Sequence, residues 1–400
     1  STGPRPPSLL LNRHIQFIPW MGQNYLHKGQ IPFERIDFTV TDCIDKSTAE
    51  ERGAVCDPDP SMTDVIALDV FPPFDSPELP RSAPLIVFMP GLRCDSQDMP
   101  GNMIMRLARQ AGLRSLVLNR RGHTEEPSGE TRRLQAPRFN LFGDVADLEQ
   151  VYWHVKEELL PAGTPMFLHG ISSGCAVVVT ALAAFDKRRL MRPDLPSPQF
   201  IAAVSVTPGY DLRKVMTPER FKFPYNEILR PFVQSHFVSQ NEAVLRQHNN
   251  DAVDAALEAK NLQEFVNAAA PLAGYANVSE YYKYNNPVND LQYITTPKFV
   301  LNSIDDPVCE ISNLYERSDN PEHKGLNYAE IVANSPYGLI AVTKTGSHIP
   351  FLDSPLLVDD PMTGGYMVNS WGDRVIMQYY TAWLDVMEYP LHAVEGPLEE

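Results

Sequence analysis

Gly170-Ile171-Ser172-Ser173-Gly174 follows the short apolar run Met166-Phe167-Leu168 and opens a helix-like run from Cys175 to Phe185. Strand, strained turn, helix is the pattern of a nucleophile elbow. The two glycines leave room where the chain doubles back too sharply for a side chain, and the strain lifts the Ser172 hydroxyl clear of the sheet. Ser172 then sits at a helix N-terminus, where the helix dipole and the N–H of Ser173 stabilise negative charge on an oxygen. The pentapeptide by itself recurs by chance in ordinary loops, so the elements on either side of it carry the reading.

A serine alcohol is a poor nucleophile at neutral pH, and the elbow therefore demands an orienting acid and a base further along, in the order Ser, Asp, His. Lys298 to Asn302 reads as a buried strand after the breaker Pro297 and runs into Ser303-Ile304-Asp305-Asp306-Pro307. Leu339 to Thr343 is another such strand, followed by the loop Lys344-Thr345-Gly346-Ser347-His348. Both loops leave the same sheet edge as the elbow. Of the ten histidines, His348 alone has this setting. Asp306 is the preferred acid and Asp305 the alternative, one residue of register apart. Among the other histidines, His154 falls on the solvated flank of a helical stretch from Asp144 to Leu160, and His169 packs or hydrogen-bonds beneath the elbow.

An oxyanion hole needs a second backbone donor, from the loop after the strand that precedes the first core helix. Pro84 to Met89 is that strand, and Pro90-Gly91-Leu92 follows it. The candidate donors are the N–H groups of Leu92 and Ser173.

The chain resembles one branch of the α/β-hydrolases, that of the bacterial YheT-like hydrolases, abhydrolase-domain lipases and yeast medium-chain ester synthases. The resemblance spans roughly residues 30 to 387. It rests most on Leu262-Gln263-Glu264-Phe265, Gly274-Tyr275, Glu280-Tyr281-Tyr282 and Asp305-Asp306-Pro307. Pro208 with Asp211-Leu212, Arg121-Gly122, Gly143 with Asp147-Leu148, and Gly346-Ser347-His348 with Phe351 are also similar. It implies Ser172 as nucleophile, Asp306 as acid and His348 as base. Three positions depart from the branch's pattern, namely Pro90, Cys175 and Pro350, and all three are expected to line the active site.

The resemblance implies a mostly parallel, doubly wound α/β sheet with an inserted helical cap, and the chain's periodicity fits. Strands near 85–89, 115–119, 166–169, 201–206, 298–302 and 339–343 alternate with helices, after an antiparallel start formed by Phe33 to Val40 and Val65 to Phe71. Residues 1–34 form an N-terminal arm, 35–212 and 292–400 the core, and 213–291 the cap. The cap shows no strand pattern, and its helical stretches include Glu227 to Val238 and Asn250 to Ala270. Its aromatics divide between sealing the cap and walling an acyl pocket, with most assigned to sealing. Asp373 to Met387 closes the chain as a helix with Val375, Ile376, Tyr379, Tyr380, Trp383 and Val386 facing inward.

With 34 basic against 50 acidic residues the net charge is −16, which argues against nucleic-acid and anionic-membrane partners. The phosphate-cradling and metal-binding motifs are missing, so no cofactor or metal is expected. Cys43, Cys56, Cys94, Cys175 and Cys309 form no disulfide framework, although a Cys43–Cys56 bridge stays open. No run reaches the ~20 apolar residues a membrane span needs, and a cytoplasmic location is the expectation, with a removed upstream anchor compatible with the start at Ser1. Three activities remain in play. The first is a serine carboxylester hydrolase, for which the resemblance implies apolar short- to medium-chain esters or mono- and diacylglycerols as substrates. The second is an alcohol O-acyltransferase using the same three residues, for which His348 with Asp353 supplies an H-x-x-x-x-D string. The third is a hydrolase fold kept as a binding module.

Overall fold

The computed structural model describes residues 3–27, 30–43, 58–126, 128–143, 145–221, 223–360 and 362–391. Eight strands build the main sheet: β1 (Glu34–Cys43), β2 (Pro58–Phe71), β3 (Leu85–Met89), β4 (Arg114–Asn119), β5 (Met166–Ile171), β6 (Ala202–Val206), β7 (Lys298–Ser303) and β8 (Gly338–Thr343). They lie in the order β1-β2-β4-β3-β5-β6-β7-β8. Strands β4 to β8 run parallel, while β2 is antiparallel to both of its neighbours.

The parallel strands β3 to β7 are buried on both faces, which is why they read as unbroken apolar runs such as Leu85-Ile86-Val87-Phe88-Met89. The edge strand β8, expected to be buried as well, leaves Leu339 54% exposed because no further strand covers it. Alternation of side chains then splits each strand between two cores. Leu85, Val87, Met89 and Leu168 join the helices Val145–His154 and Gly174–Met191 on one face. Ile86, Phe88 and Phe167 join the helices Met99–Gln110 and Trp371–Val386 on the other.

The chain leaves β3 for β4 on one side and returns to β5 on the other. The strand order therefore reverses between β3 and β5, and the loops after these two strands diverge to open a crevice at the carboxyl edge.

Between β6 and β7 the described residues hold only helices and turns. They pack as a third apolar cluster around Phe237, Phe265, Leu245 and Tyr281, which also takes in Phe139, Phe142 and Ala176 from the core. The single long helix expected from Asn250 to Ala270 is two, Asn250–Glu258 and Leu262–Ala269. The break falls where the Asn261 side chain accepts the Glu264 N–H at 2.9 Å and caps the second helix. Asn277, part of a potential glycosylation sequon, has the same role one helix later, accepting the Glu280 N–H at 3.0 Å. In the final helix Val386 is 76% exposed rather than inward, because the helix end runs past the core, whereas Ile376 and Tyr380 are buried. A two-stranded hairpin, β9 (Leu352–Asp359) with β10 (Tyr366–Ser370), follows the His348 loop and was not expected from its exposed, proline-bearing sequence. Among the described residues no helix is long and apolar enough to cross a membrane. The Cys43–Cys56 pairing lies outside the described residues, and Cys94, Cys175 and Cys309 are free.

Candidate active site

At the end of β5 the chain turns through Ser172 with φ of +52°, a left-handed conformation that a serine adopts only under strain. Both flanking glycines are required by close approach. A Cβ on Gly170 would stand 2.7 Å from Val178 Cγ2 and 2.9 Å from the Cys175 nitrogen. One on Gly174 would be driven into the Met89 carbonyl oxygen and lie 2.6 Å from that of Pro90. The turn is thus clamped between its own helix and the end of β3, and the Ser172 hydroxyl faces the crevice.

Three loops from the carboxyl edge then meet. His348 Nε2 is 2.8 Å from Ser172 Oγ, and His348 Nδ1 is 3.0 and 2.9 Å from the two Asp306 oxygens. Asp306 Oδ1 also accepts the N–H groups of Val308 and Cys309, each at 2.8 Å, which fixes the carboxylate plane. Asp306 and His348 are 2% and 4% exposed, so these bonds are shielded from competing water.

Asp305, the alternative acid, points elsewhere. Its Oδ1 accepts the Ser347 N–H at 2.8 Å and the Ser303 hydroxyl, and its Oδ2 accepts Gln16 Nε2 at 3.1 Å. It braces the backbone that carries His348. The N-terminal arm reinforces that brace, since Ser347 Oγ donates to the Arg13 carbonyl at 2.6 Å. The same N-terminal residues reach the helix Tyr225–Val233 through His14 Nδ1, 2.9 Å from the Tyr225 hydroxyl. These arm contacts carried no motif in the sequence.

The expected backbone donors are available. Among the described residues, neither the Leu92 nor the Ser173 N–H donates a hydrogen bond within the protein. Gly91 allows their loops to approach, a Cβ there lying 3.4 Å from that of Ser172. Behind them is a residue that sequence reasoning missed, Arg120, only 2% exposed. Its guanidinium donates to the Leu141 carbonyl at 2.7 Å, to Ser173 Oγ at 3.3 Å and to the Pro90 carbonyl at 3.5 Å. It ties both loops together and sets a positive charge beneath them. The only signal was the Arg120-Arg121-Gly122 run, whose second arginine instead pairs with Asp147 at 2.8 Å.

An apolar cavity of about 580 Å³, counting the space open at its mouth, has Ser172 in its wall. Leu92, Ser173 and Ala176 line it on the core side, Pro208, Gly209, Val308 and Cys309 at the ends of β6 and β7, and Leu212, Val215, Met216, Phe221, Leu229 and Leu262 across the top. Of the aromatics between β6 and β7, Phe221 reaches this cavity, whereas Phe265, Phe237 and Tyr281 pack in the third apolar cluster and Phe223 is exposed. Pro90, Cys175 and Pro350 are not among its lining residues, contrary to expectation. Cys175 turns toward the sheet, its thiol 3.2 Å from the Val206 carbonyl.

His154, His169 and His236 stand apart from this meeting point. His154 stacks on Phe38, with ring centroids 4.7 Å apart, and pairs with Glu158. His169 is fully buried, edge-on to Phe88, with neither ring nitrogen hydrogen-bonded among the described residues, and burial pulls its pKa down to about 3. His236 accepts the Arg93 guanidinium at 3.2 Å, and burial together with that charge lowers its pKa to about 4. Asp353, the second member of the H-x-x-x-x-D string, is bound to Arg374 at 2.7 Å and not to His348.

Residues 81–329 match the family model described as Serine aminopeptidase, S33 (Hydrolase_4). The chain is 23% identical over 331 residues to the embryogenesis-associated protein EMB8 of Picea glauca, covering 80% of this chain and 62% of that protein. It is 30% identical over 123 residues to the medium-chain fatty acid ethyl ester synthase/esterase 2 of Saccharomyces cerevisiae, covering 30% of this chain and 22% of the relative. A solved esterase from Rhizomucor miehei superposes with a TM-score of 0.46 at 11% identity, over 96% of this chain and 91% of that one. The chain thus spans less than two thirds of the curated relatives' own lengths.

Proposed function

We propose, for a chain that belongs to the serine aminopeptidase S33 family of the α/β-hydrolase superfamily, that it is a serine carboxylester hydrolase for apolar short- to medium-chain esters or acylglycerols. The observation that carries this reading is Ser172, hydrogen-bonded to His348 and set in the wall of a cavity to which no charged residue contributes among those described. An aminopeptidase must hold a substrate ammonium, and an uncharged wall offers it no counter-ion. An ester with an apolar acyl chain needs only apolar walls and two backbone donors.

Ser172 Oγ attacks the ester carbonyl carbon while His348 Nε2 takes its proton, and Asp306 holds the imidazole and offsets its positive charge. The carbonyl oxygen, now carrying the electron pair, receives the N–H groups of Leu92 and Ser173. His348 returns the proton to the departing alcohol, leaving an acyl-enzyme. Water, deprotonated by the same imidazole, releases the acid and restores Ser172. Residues 213–291 serve as the cap that walls the acyl group.

A panel of p-nitrophenyl esters of increasing acyl length, run with and without a small alcohol, tests the reading. Turnover with release of free acid is expected, and Ser172→Ala should lower kcat on the order of 10⁴-fold or more with the fold retained. Retention of a tenth of the activity in that variant sinks the assignment of Ser172. A dominant ester product in the alcohol arm replaces hydrolysis by acyl transfer, as the yeast relative's name describes for that protein.

A further inference from the structure

Cys309 sits beside the catalytic acid and base, a position the proposed chemistry does not use. Its N–H is one of the two that hold Asp306, and its side chain lines the acyl cavity, so it is reached from the space the substrate enters. One ligand atom each from Asp306, Cys309 and His348 lie within 4.8 Å of one another. A tetrahedral zinc ion bound by thiolate, imidazole and carboxylate holds those atoms roughly 3.3 to 3.6 Å apart. Side-chain adjustments of about an ångström therefore separate the resting arrangement from a three-ligand site.

We propose that Asp306, Cys309 and His348 form an inhibitory site for a thiophilic divalent cation, zinc being the natural candidate. This inference rests on the serine-hydrolase reading, because inhibition requires that His348 be the base.

The proton balance explains why such an ion stops turnover. For His348 to act as the base its ring proton must lie on Nδ1, donated to Asp306, so that the Nε2 lone pair accepts the Ser172 hydroxyl. An ion bound at Nδ1 takes that nitrogen's lone pair. The ring proton must then move to Nε2, where Ser172 faces a donor and cannot give up its own proton. The Cys309 thiol proton leaves to solvent as the sulfur becomes a ligand, and nothing is oxidised or reduced. Asp306 trades its hydrogen bond from the imidazole for a bond to the ion and keeps the N–H groups of Val308 and Cys309.

Cadmium alone serves as the optical probe, since its bond to thiolate absorbs in the ultraviolet. Titration of the metal-free protein should produce this band at one cadmium per chain. The band should be lost in Cys309→Ser and in Cys309→Ala, and kept in Cys94→Ser, whose thiol lies in the oxyanion loop. His348→Ala should keep the sulfur but weaken binding at least about tenfold, as loss of a metal contact does. Zinc should suppress both ester turnover and fluorophosphonate labelling of the parent protein, with the half-inhibiting concentration raised at least about tenfold in Cys309→Ser when each variant is referred to its own zinc-free rate. A cadmium band that survives removal of Cys309, unchanged affinity in His348→Ala, or equal zinc sensitivity in Cys309→Ser overturns the proposal. Absence of fluorophosphonate labelling in the metal-free parent overturns the serine-hydrolase reading instead, and the cadmium titration stays interpretable without it.

Discussion

Replacing Asp306 by asparagine separates the two adjacent acids, because the surrounding hydrogen bonds dictate which way the new amide must face. Asp306 Oδ1 accepts two backbone N–H groups at 2.8 Å, so this position has to remain an oxygen. The amide nitrogen then takes the place of Oδ2, 2.9 Å from His348 Nδ1. Two donors cannot face one another, and the imidazole responds by moving its proton to Nε2, which lies 2.8 Å from Ser172 Oγ. The base is lost while the loop stays held. We expect kcat to fall by about 10⁴-fold, or about 5.5 kcal/mol of transition-state stabilisation, with little change in Tm. Asp305→Asn removes a charge but leaves an oxygen able to accept the Ser347 N–H, and its new amide nitrogen faces a Gln16 amide that can turn to accept it. Its turnover should stay within about tenfold of the parent, the cost of losing one partly exposed charge-assisted bond. Steady-state hydrolysis of a p-nitrophenyl ester, fluorophosphonate labelling rates and thermal melts on both variants make the comparison. Severities in the reverse order, or a loss under tenfold in Asp306→Asn, refute the assignment of the acid.

Three further outcomes are expected. His169 has a folded pKa of about 3 against an ordinary 6.5, so the unfolded chain takes up the proton first as pH falls, and stability that is complete above pH 6.5 is lost toward pH 3. His169→Leu should remove a slope of about 1.4 kcal/mol per pH unit from that window, and parallel melting curves for parent and variant would contradict it. A methyl group at Gly209 would stand 3.2 Å from Val215 Cγ1 and 3.5 Å from Cys309 Sγ, narrowing the cavity. Gly209→Ala should therefore lower kcat/KM for long acyl chains relative to short ones by roughly tenfold, and an equal loss for both would place the acyl chain elsewhere. A fluorophosphonate with an apolar chain should slow amide exchange in Leu212–Val215, Tyr225–Val233 and Leu262–Ala269 while leaving β8 unchanged, and an unaffected cap would mean that it does not close on the acyl group.

How far the chain could be read before its structure follows from where each signal resides. Strands β3 to β7 were legible to within two residues because burial on both faces forces continuous apolar runs, and the elbow because two glycines admit no alternative at their close approaches. Ser172 was legible because its loop directly follows such a strand, and His348 because its loop follows the apolar run of β8, although that edge strand is only half-buried. Asp305 and Asp306 are equivalent in composition and in position. What distinguishes them is that two backbone N–H groups downstream converge on Asp306 while a third, from Ser347, converges on Asp305. Backbone donors leave no mark on side-chain identity, which also leaves the proposed oxyanion donors, the N–H groups of Leu92 and Ser173, visible only through the neighbouring Gly91. The hairpin β9–β10 went unread because its outer strand is half exposed and broken by Pro355, so neither alternation nor an apolar run survives. The arm was the least accessible feature. Ser347 Oγ bonds the Arg13 carbonyl across 334 positions, and any residue at position 13 would offer the same oxygen. The position of the His348 loop thus depends on a contact that substitution of Arg13 alone would not remove, and the arm's hold on it is set by the path of the backbone between Asn12 and Gln16, where the Ile15 and Gln16 N–H groups both return to the Asn12 carbonyl.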